Sequence, residues 1–232
     1  MKAPFDFPPR PVVPIAGRDE SFPVHRIYCV GRNYAEHARE MGADPTREPP
    51  CFFCKPADAL VLSGGTAAYP PRTTNLHHEI ELVIAMGRGG RDVPVADALS
   101  RIYGYAVGND LTRRDLQARA KANGEPWDVA KGFDDSAVIG PIQPAAVIGH
   151  PSKGRIWLRV NGALRQEADI ADLIWRVPEV VAELSTLFAL RAGDLIYTGT
   201  PAGVGALRPG DHVDGGVDGV GTIAHSIGPP TA

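Results

Sequence analysis

Residues 75–87 read NLHHEIELVIAMG. From Glu79 onward this is a strand, in which residues two apart share a face. Ile80, Leu82 and Ile84 take one face, while Val83 and Ala85 make the other apolar as well. A strand apolar on both sides is largely buried. Its first end, however, carries Glu79 and Glu81 next to each other on one face. Two close carboxylates repel, and near burial that repulsion raises one pKa sharply unless a cation sits between them. A hard divalent ion with oxygen ligands resolves the conflict directly.

The next strand, expected over Arg101–Gly108, runs into Asp110 at its exposed end, where loop residues carry function. Asp110 is the natural third ligand. Three carboxylates leave positions open for water and substrate, and oxygen donors suit Mg²⁺ or Mn²⁺ better than Zn²⁺. The same pattern also describes a solvated strand face, with Asp110 capping the following helix through Thr112. His77 and His78 beside the acids are further ligand candidates, but a paired His in a loop is more often a surface residue or an outer support.

Further from the acids, His25–Val30 and Cys51–Lys55 read as strands. Asn33 is placed to cap a short helix over Tyr34–Met41, stopped by Gly42. A helix is expected over Thr112–Asn123, and a long amphipathic one within Asp172–Leu190 with Pro178 near its start. Arg155–Val160 pairs with Arg165–Ala168 through Asn161-Gly162, a strong hairpin signal. Asp194–Thr198 is a strand, followed by a Gly-rich tail of short strands. Helices are few and do not alternate with strands in a βαβ rhythm. The expected class is therefore mainly β with peripheral helices (α+β), in closed or sandwiched sheets. Residues 1–24, with FDFPPRPVVP, read as a Pro-rich extended arm on the surface. Residues 25–232 read as one catalytic domain.

A chain of 232 residues can bury a substantial core without staples. A net charge of −3 gives no electrostatic reason to expect nucleic acid or an anionic membrane. Three Cys do not form a disulfide framework, no apolar run approaches a bilayer span, and no signal-peptide order is present, so the cytoplasm is expected. Cys51 and Cys54 make a lone C-x-x-C with Phe52 and Phe53 between them, and read as packing residues. Trp157 and Trp175 read as core or interface positions.

Six blocks in order carry a family likeness: GRNYAEHAREMG (31–42), NLHHEIELVIAMG (75–87), YAVGNDLTRRDLQ (105–117), WDVAKGFD (127–134), VNGALRQ (160–166) and GDLIYTGTPAGVG (193–205). The chain resembles the fumarylacetoacetate hydrolase superfamily, most of all its small fumarylpyruvate hydrolase and acylpyruvase branch. The resemblance implies a mixed β-sandwich roll, a homodimer, and Mg²⁺ or Mn²⁺ held by Glu79, Glu81 and Asp110. It implies a small 2-oxo or 2,4-dioxo acid as substrate and hydrolysis of a carbon–carbon bond. The expected case is fumarylpyruvate to fumarate and pyruvate, a step of gentisate-type aromatic catabolism. Acylpyruvase activity, oxaloacetate decarboxylation and a non-catalytic module that binds metal and 2-oxo acid are the alternatives.

His37 and Glu40 are three apart on one helix face, where a Glu can fix the imidazole tautomer and leave the other nitrogen as a base. By spacing alone they are equally an ordinary exposed pair. The resemblance implies a catalytic pair on a lid, and makes Lys131 a third catalytic residue. It points to Arg32, Tyr34, Arg114, Gln117 and Thr200 as substrate contacts. An Arg suits a carboxylate because its fork binds both oxygens, and Arg32, Arg113 and Arg114 all compete for that role. The turn TGTPAGVG lacks the ending of a phosphate loop, and its N–H groups and the Thr200 hydroxyl suit a carboxylate. Asn109 stands where a more apolar residue is expected, beside the metal ligands.

Overall fold

The computed structural model describes residues 4–6, 8–40 and 48–230, excluding the side chains of 38–40. Among the described residues an eight-stranded sheet dominates. Its order runs Cys51–Lys55, Ile27–Gly31, Leu195–Tyr197, Ile80–Met86, Ile102–Asp110, Ala137–Ile139 and Leu60–Leu62, with Gln143–Pro144 also paired to Ile102–Asp110. A five-stranded sheet runs Ala163–Asp169, Arg155–Val160, His212–Val217, Gly221–Pro230 and Thr66–Tyr69. The mainly β class with peripheral helices is what forms.

The Ile80–Met86 strand is central and fully buried, as its two apolar faces require. Ile80, Leu82 and Ile84 pack into one core with Leu158, Val213 and Ile223 of the five-stranded sheet. That core also takes Val180, Val181 and Leu184 from the helix Val177–Leu187. Val83 and Ala85 point into a second core with Ile27, Cys29, Ile139 and Tyr197. Each large apolar side chain so buried contributes about 1.5–3 kcal/mol.

The second core is closed by Val13 and Phe22, from a small antiparallel ladder of Val12–Pro14 with Ser21–Pro23. The extended surface arm expected for residues 1–24 is therefore corrected over this stretch. Its Pro residues sit between side chains that alternate into the core, a period-2 pattern that the Pro density hides.

Other elements differ in detail. The helix is Arg114–Asn123, because Thr112–Arg113 pairs as a strand with Leu76–His77. The hairpin turn at Asn161-Gly162 forms with φ of 52° and 79°, values that suit Asn and Gly. Asn33 precedes the helix Ala35–Glu40, but its amide is engaged elsewhere. Oδ1 accepts from Trp175 N at 2.7 Å, and Nδ2 donates to the carbonyls of Thr198 at 2.8 Å and Trp175 at 3.0 Å. It ties two distant loops together instead of capping. The expected helix end at Met41–Gly42 lies outside the described residues. Cys54 is exposed, so the packing reading fails there. No described helix is long and apolar enough to cross a membrane.

Candidate active site

Strand pairing brings the three acids together. Ile80 lies opposite Asn109 in the ladder, which sets Glu79 and Glu81 against the end of the neighbouring strand. The Asp110 N–H donates to the Glu79 carbonyl at 2.8 Å. Ligand atoms of Glu79, Glu81 and Asp110 all lie within 4.8 Å of one another. These residues are 4%, 1% and 0% exposed, which rules out a solvated strand face. Nor does Asp110 cap through its side chain: the Thr112 hydroxyl donates to its backbone carbonyl at 3.0 Å. Asn109 supports the group from below. Its Oδ1 accepts from Glu79 N at 2.7 Å, and its Nδ2 lies 2.9 Å from His225 Nε2.

Three cations converge on the acids. Lys131, at the end of the short helix Asp128–Lys131, donates to Glu79 Oε2 at 2.6 Å and Asp110 Oδ2 at 2.7 Å. Arg114 donates to Glu79 Oε1. Lys55 Nζ sits 2.7 Å from Asp110 Oδ1, yet it donates to the carbonyls of Leu111 and Lys131, so the contact is an ion pair without an aligned hydrogen bond. Asp110 Oδ1 is thus buried with no hydrogen-bond donor.

The acids respond in opposite directions. Burial pushes the Glu79 carboxyl up, but Lys131 and then Arg114 outweigh it and hold it well below its ordinary value. Glu81 is pushed well above, by burial first and then by Asp110 and Glu79. Its Oε2 accepts from Gly199 N at 2.7 Å, and among the described residues no cation forms an ion pair with it. Gly199 has φ of 100°, and a Cβ there would meet the Asn33 Cβ at 2.7 Å, so this N–H reaches Glu81 only because the residue is Gly. Burial opposes the charge on Lys131, and Asp110 and Glu79 raise its pKa despite it. A carboxyl pushed up by burial and by two neighbouring acids, and a carboxylate oxygen with no donor, fit a hard divalent ion at this trio.

The acids open into a cleft also lined by Arg32, His37, Phe53, Trp127, Lys131 and Thr200. His37 is buried and lines this cleft with the acids; the side chain of Glu40 lies outside the described residues. Arg32, at φ 60°, carries its guanidinium 5.9 Å from the Trp127 ring centre. Lys121 Nζ approaches the same ring at 5.3 Å. The Lys121 pKa falls to about 8, through burial first and then Arg114 and Arg32.

Arg114 and Gln117 stand behind the acids, joined at 2.5 Å between Nη1 and Oε1. Tyr34 is buried, does not line the cleft, and its hydroxyl has no described partner. Arg113 turns away: its guanidinium stacks 4.5 Å from the Phe133 ring and donates to the Val129 carbonyl at 3.3 Å.

Three contributors escaped sequence reading. Lys55 is only the last residue of a short apolar strand in the sequence, with no signal that it meets the acids. Lys121 lies in a helix with several basic residues, and nothing in the sequence singles it out from them. Gln166 was visible only as the last letter of VNGALRQ. It is fully buried, its Oε1 meeting His78 Nδ1 at 2.8 Å and Ile80 N at 3.1 Å, and its Nε2 donating to Thr200 Oγ1 and the Pro201 carbonyl at 2.8 Å each. His78 is therefore buried and engaged, not a surface residue.

The family model for the fumarylacetoacetate (FAA) hydrolase C-terminal region matches residues 26–228. A crystal structure of fumarylpyruvate hydrolase from Pseudomonas aeruginosa, in complex with Mn²⁺ and pyruvate, superposes with a TM-score of 0.96 at 52% identity, over 98% of this chain and 100% of that one. Fumarylpyruvate hydrolase of Ralstonia sp is 46% identical, over 80% of this chain and 96% of its own. The mitochondrial oxaloacetate tautomerase FAHD1 of Arabidopsis thaliana is 42% identical, over 87% of this chain and 90% of its own. With the acidic trio in place and a match that spans almost the whole chain, this protein belongs to the fumarylacetoacetate hydrolase family.

Proposed function

We propose that this protein is a metal-dependent hydrolase that cleaves fumarylpyruvate to fumarate and pyruvate. The chain is a hydrolase acting on carbon–carbon bonds. The observation that carries the reading is the buried trio of Glu79, Glu81 and Asp110, bridged by Lys131 and sharing its cleft with His37. A divalent ion, Mg²⁺ or Mn²⁺, held by the trio supplies Lewis acidity for a developing enolate oxygen.

The chain's own residues do the rest. His37, oriented by Glu40, takes a proton from water, and the resulting hydroxide attacks the C4 carbonyl. The C3–C4 bond breaks, its electron pair leaves as the enolate of pyruvate, and a proton returned to C3 completes both products. Lys131 adds positive charge beside that oxygen. Thr200 and the backbone of its turn receive the 2-oxo acid's carboxylate. The distal carboxylate is met by Arg32 and Lys121, two cations beside one Trp ring at the cleft, neither with a described carboxylate within ion-pair distance. Arg114 and Arg113 are already engaged. A homodimer in the cytoplasm and a place in aromatic catabolism complete the proposal.

The test is a panel of fumarylpyruvate, acetylpyruvate and oxaloacetate, run with chelator and with Mg²⁺ or Mn²⁺ restored. Fumarylpyruvate turnover that disappears on chelation and returns with the ion is expected. Arg32→Ala and Lys121→Ala should raise KM for fumarylpyruvate and leave acetylpyruvate unaffected. Full activity after thorough chelation would sink the scheme. The tautomerase relatives support oxaloacetate as the alternative substrate, and enol–keto exchange without cleavage of fumarylpyruvate would favour it.

A further inference from the structure

Gln166 has all four of its side-chain hydrogen-bonding positions filled, and two of the partners leave no choice of orientation. The Ile80 N–H can only donate, so it must face Oε1, at 3.1 Å. The Pro201 carbonyl can only accept, so it must face Nε2, at 2.8 Å. The amide is therefore not free to flip. Its second amide proton points at Thr200 Oγ1, 2.8 Å away, and makes that hydroxyl an acceptor toward Gln166. Its second lone pair faces His78 Nδ1 at 2.8 Å, which sets that nitrogen as the protonated one.

A hydroxyl that accepts from one side has one proton left to give. No described group accepts the Thr200 proton, and Thr200 lines the cleft beside Glu79, Glu81 and Asp110. We propose that Gln166 is a positioning residue that fixes the Thr200 hydroxyl as a hydrogen-bond donor toward the substrate carboxylate, while holding the backbone between the two strand acids. The same amide thus ties the acid-bearing strand to the substrate-binding turn. This inference rests on the reading above in placing a carboxylate at Thr200.

The decisive variant is Gln166→Glu. A carboxylate keeps an acceptor for Ile80 and His78 but offers no proton to Thr200, whose hydroxyl then turns back to donate to it. Binding of oxalate, a planar stand-in for the 2-oxo acid, is measured by calorimetry on the Mn²⁺-loaded protein, alongside KM and kcat for fumarylpyruvate. Oxalate Kd and KM should rise roughly tenfold to a hundredfold, with a smaller change in kcat, as for loss of one hydrogen bond to a charged group. Thr200→Val should produce the same rise, and Thr200→Ser should not.

In the Thr200→Val background, Gln166→Glu should add almost nothing to Kd. Equal effects in both backgrounds would mean a purely structural role and overturn the proposal. If Gln166→Glu does not fold, Thr200→Val decides alone, and an unchanged oxalate Kd overturns it. A wild-type protein that binds oxalate but hydrolyses no dioxo acid defeats the hydrolase reading only, and the Kd comparison still stands.

Discussion

The two ends of the Glu79–Met86 segment are equally shut off from water and chemically opposite. At one end Ile84, Ala85 and Met86 are fully buried among apolar neighbours. At the other, Glu79 and Glu81 are buried among Asp110, Lys131, Lys55 and Arg114. The apolar end gains free energy by leaving water, whereas the charged end loses hydration that its ion pairs only partly return. Exclusion from water, rather than exposure, is what gives this site its strength, because charges interact far more strongly there.

The sharpest test of the contrast is at the mouth of the charged end. His37→Ala should lower kcat about 10²–10⁴-fold if His37 is the base, with the thermal midpoint nearly unchanged. Retained hydrolysis would remove His37 from the chemistry. Next comes Lys55→Met, which leaves Asp110 Oδ1 buried without its cation. Urea unfolding of the metal-free protein should show a loss of about 3–5 kcal/mol, part of it recovered on adding Mg²⁺. No loss would mean that the Lys55 pair adds no net stability beside the Lys131 pair. The smallest effect is expected at the apolar end. Ile84→Ala should cost about 2–4 kcal/mol in the same unfolding measurement, with kcat per folded molecule intact. A fall in kcat as well would show that the two ends are mechanically coupled.

Much of this was legible because it is local. The period-2 apolar pattern of residues 80–85 announced a strand covered on both faces, and the spacing of Glu79 and Glu81 placed both acids on one side. The Asn161-Gly162 turn was equally plain. What sequence could not supply is pairing between distant segments. Lys55 becomes an Asp110 partner only because Cys51–Lys55 adds to the edge of the sheet beside Ile27–Gly31. Gln166 becomes a hub only when a hairpin of the second sheet reaches the strand head. Parallel pairings, such as Leu195–Tyr197 with Ile27–Gly31, have no turn between them to betray the contact. Asn33 shows the reverse error, since its local capping signal lost to partners 142 and 165 residues away.

The hydrogen bond from the Asp110 N–H to the Glu79 carbonyl joins the backbones of two acids whose side chains reach for the same point. The backbone positions of these two acids are therefore set by ladder geometry. Only the side chains are left to adjust to an ion, so the main chain supplies the frame of the site and the carboxylates its fine fit.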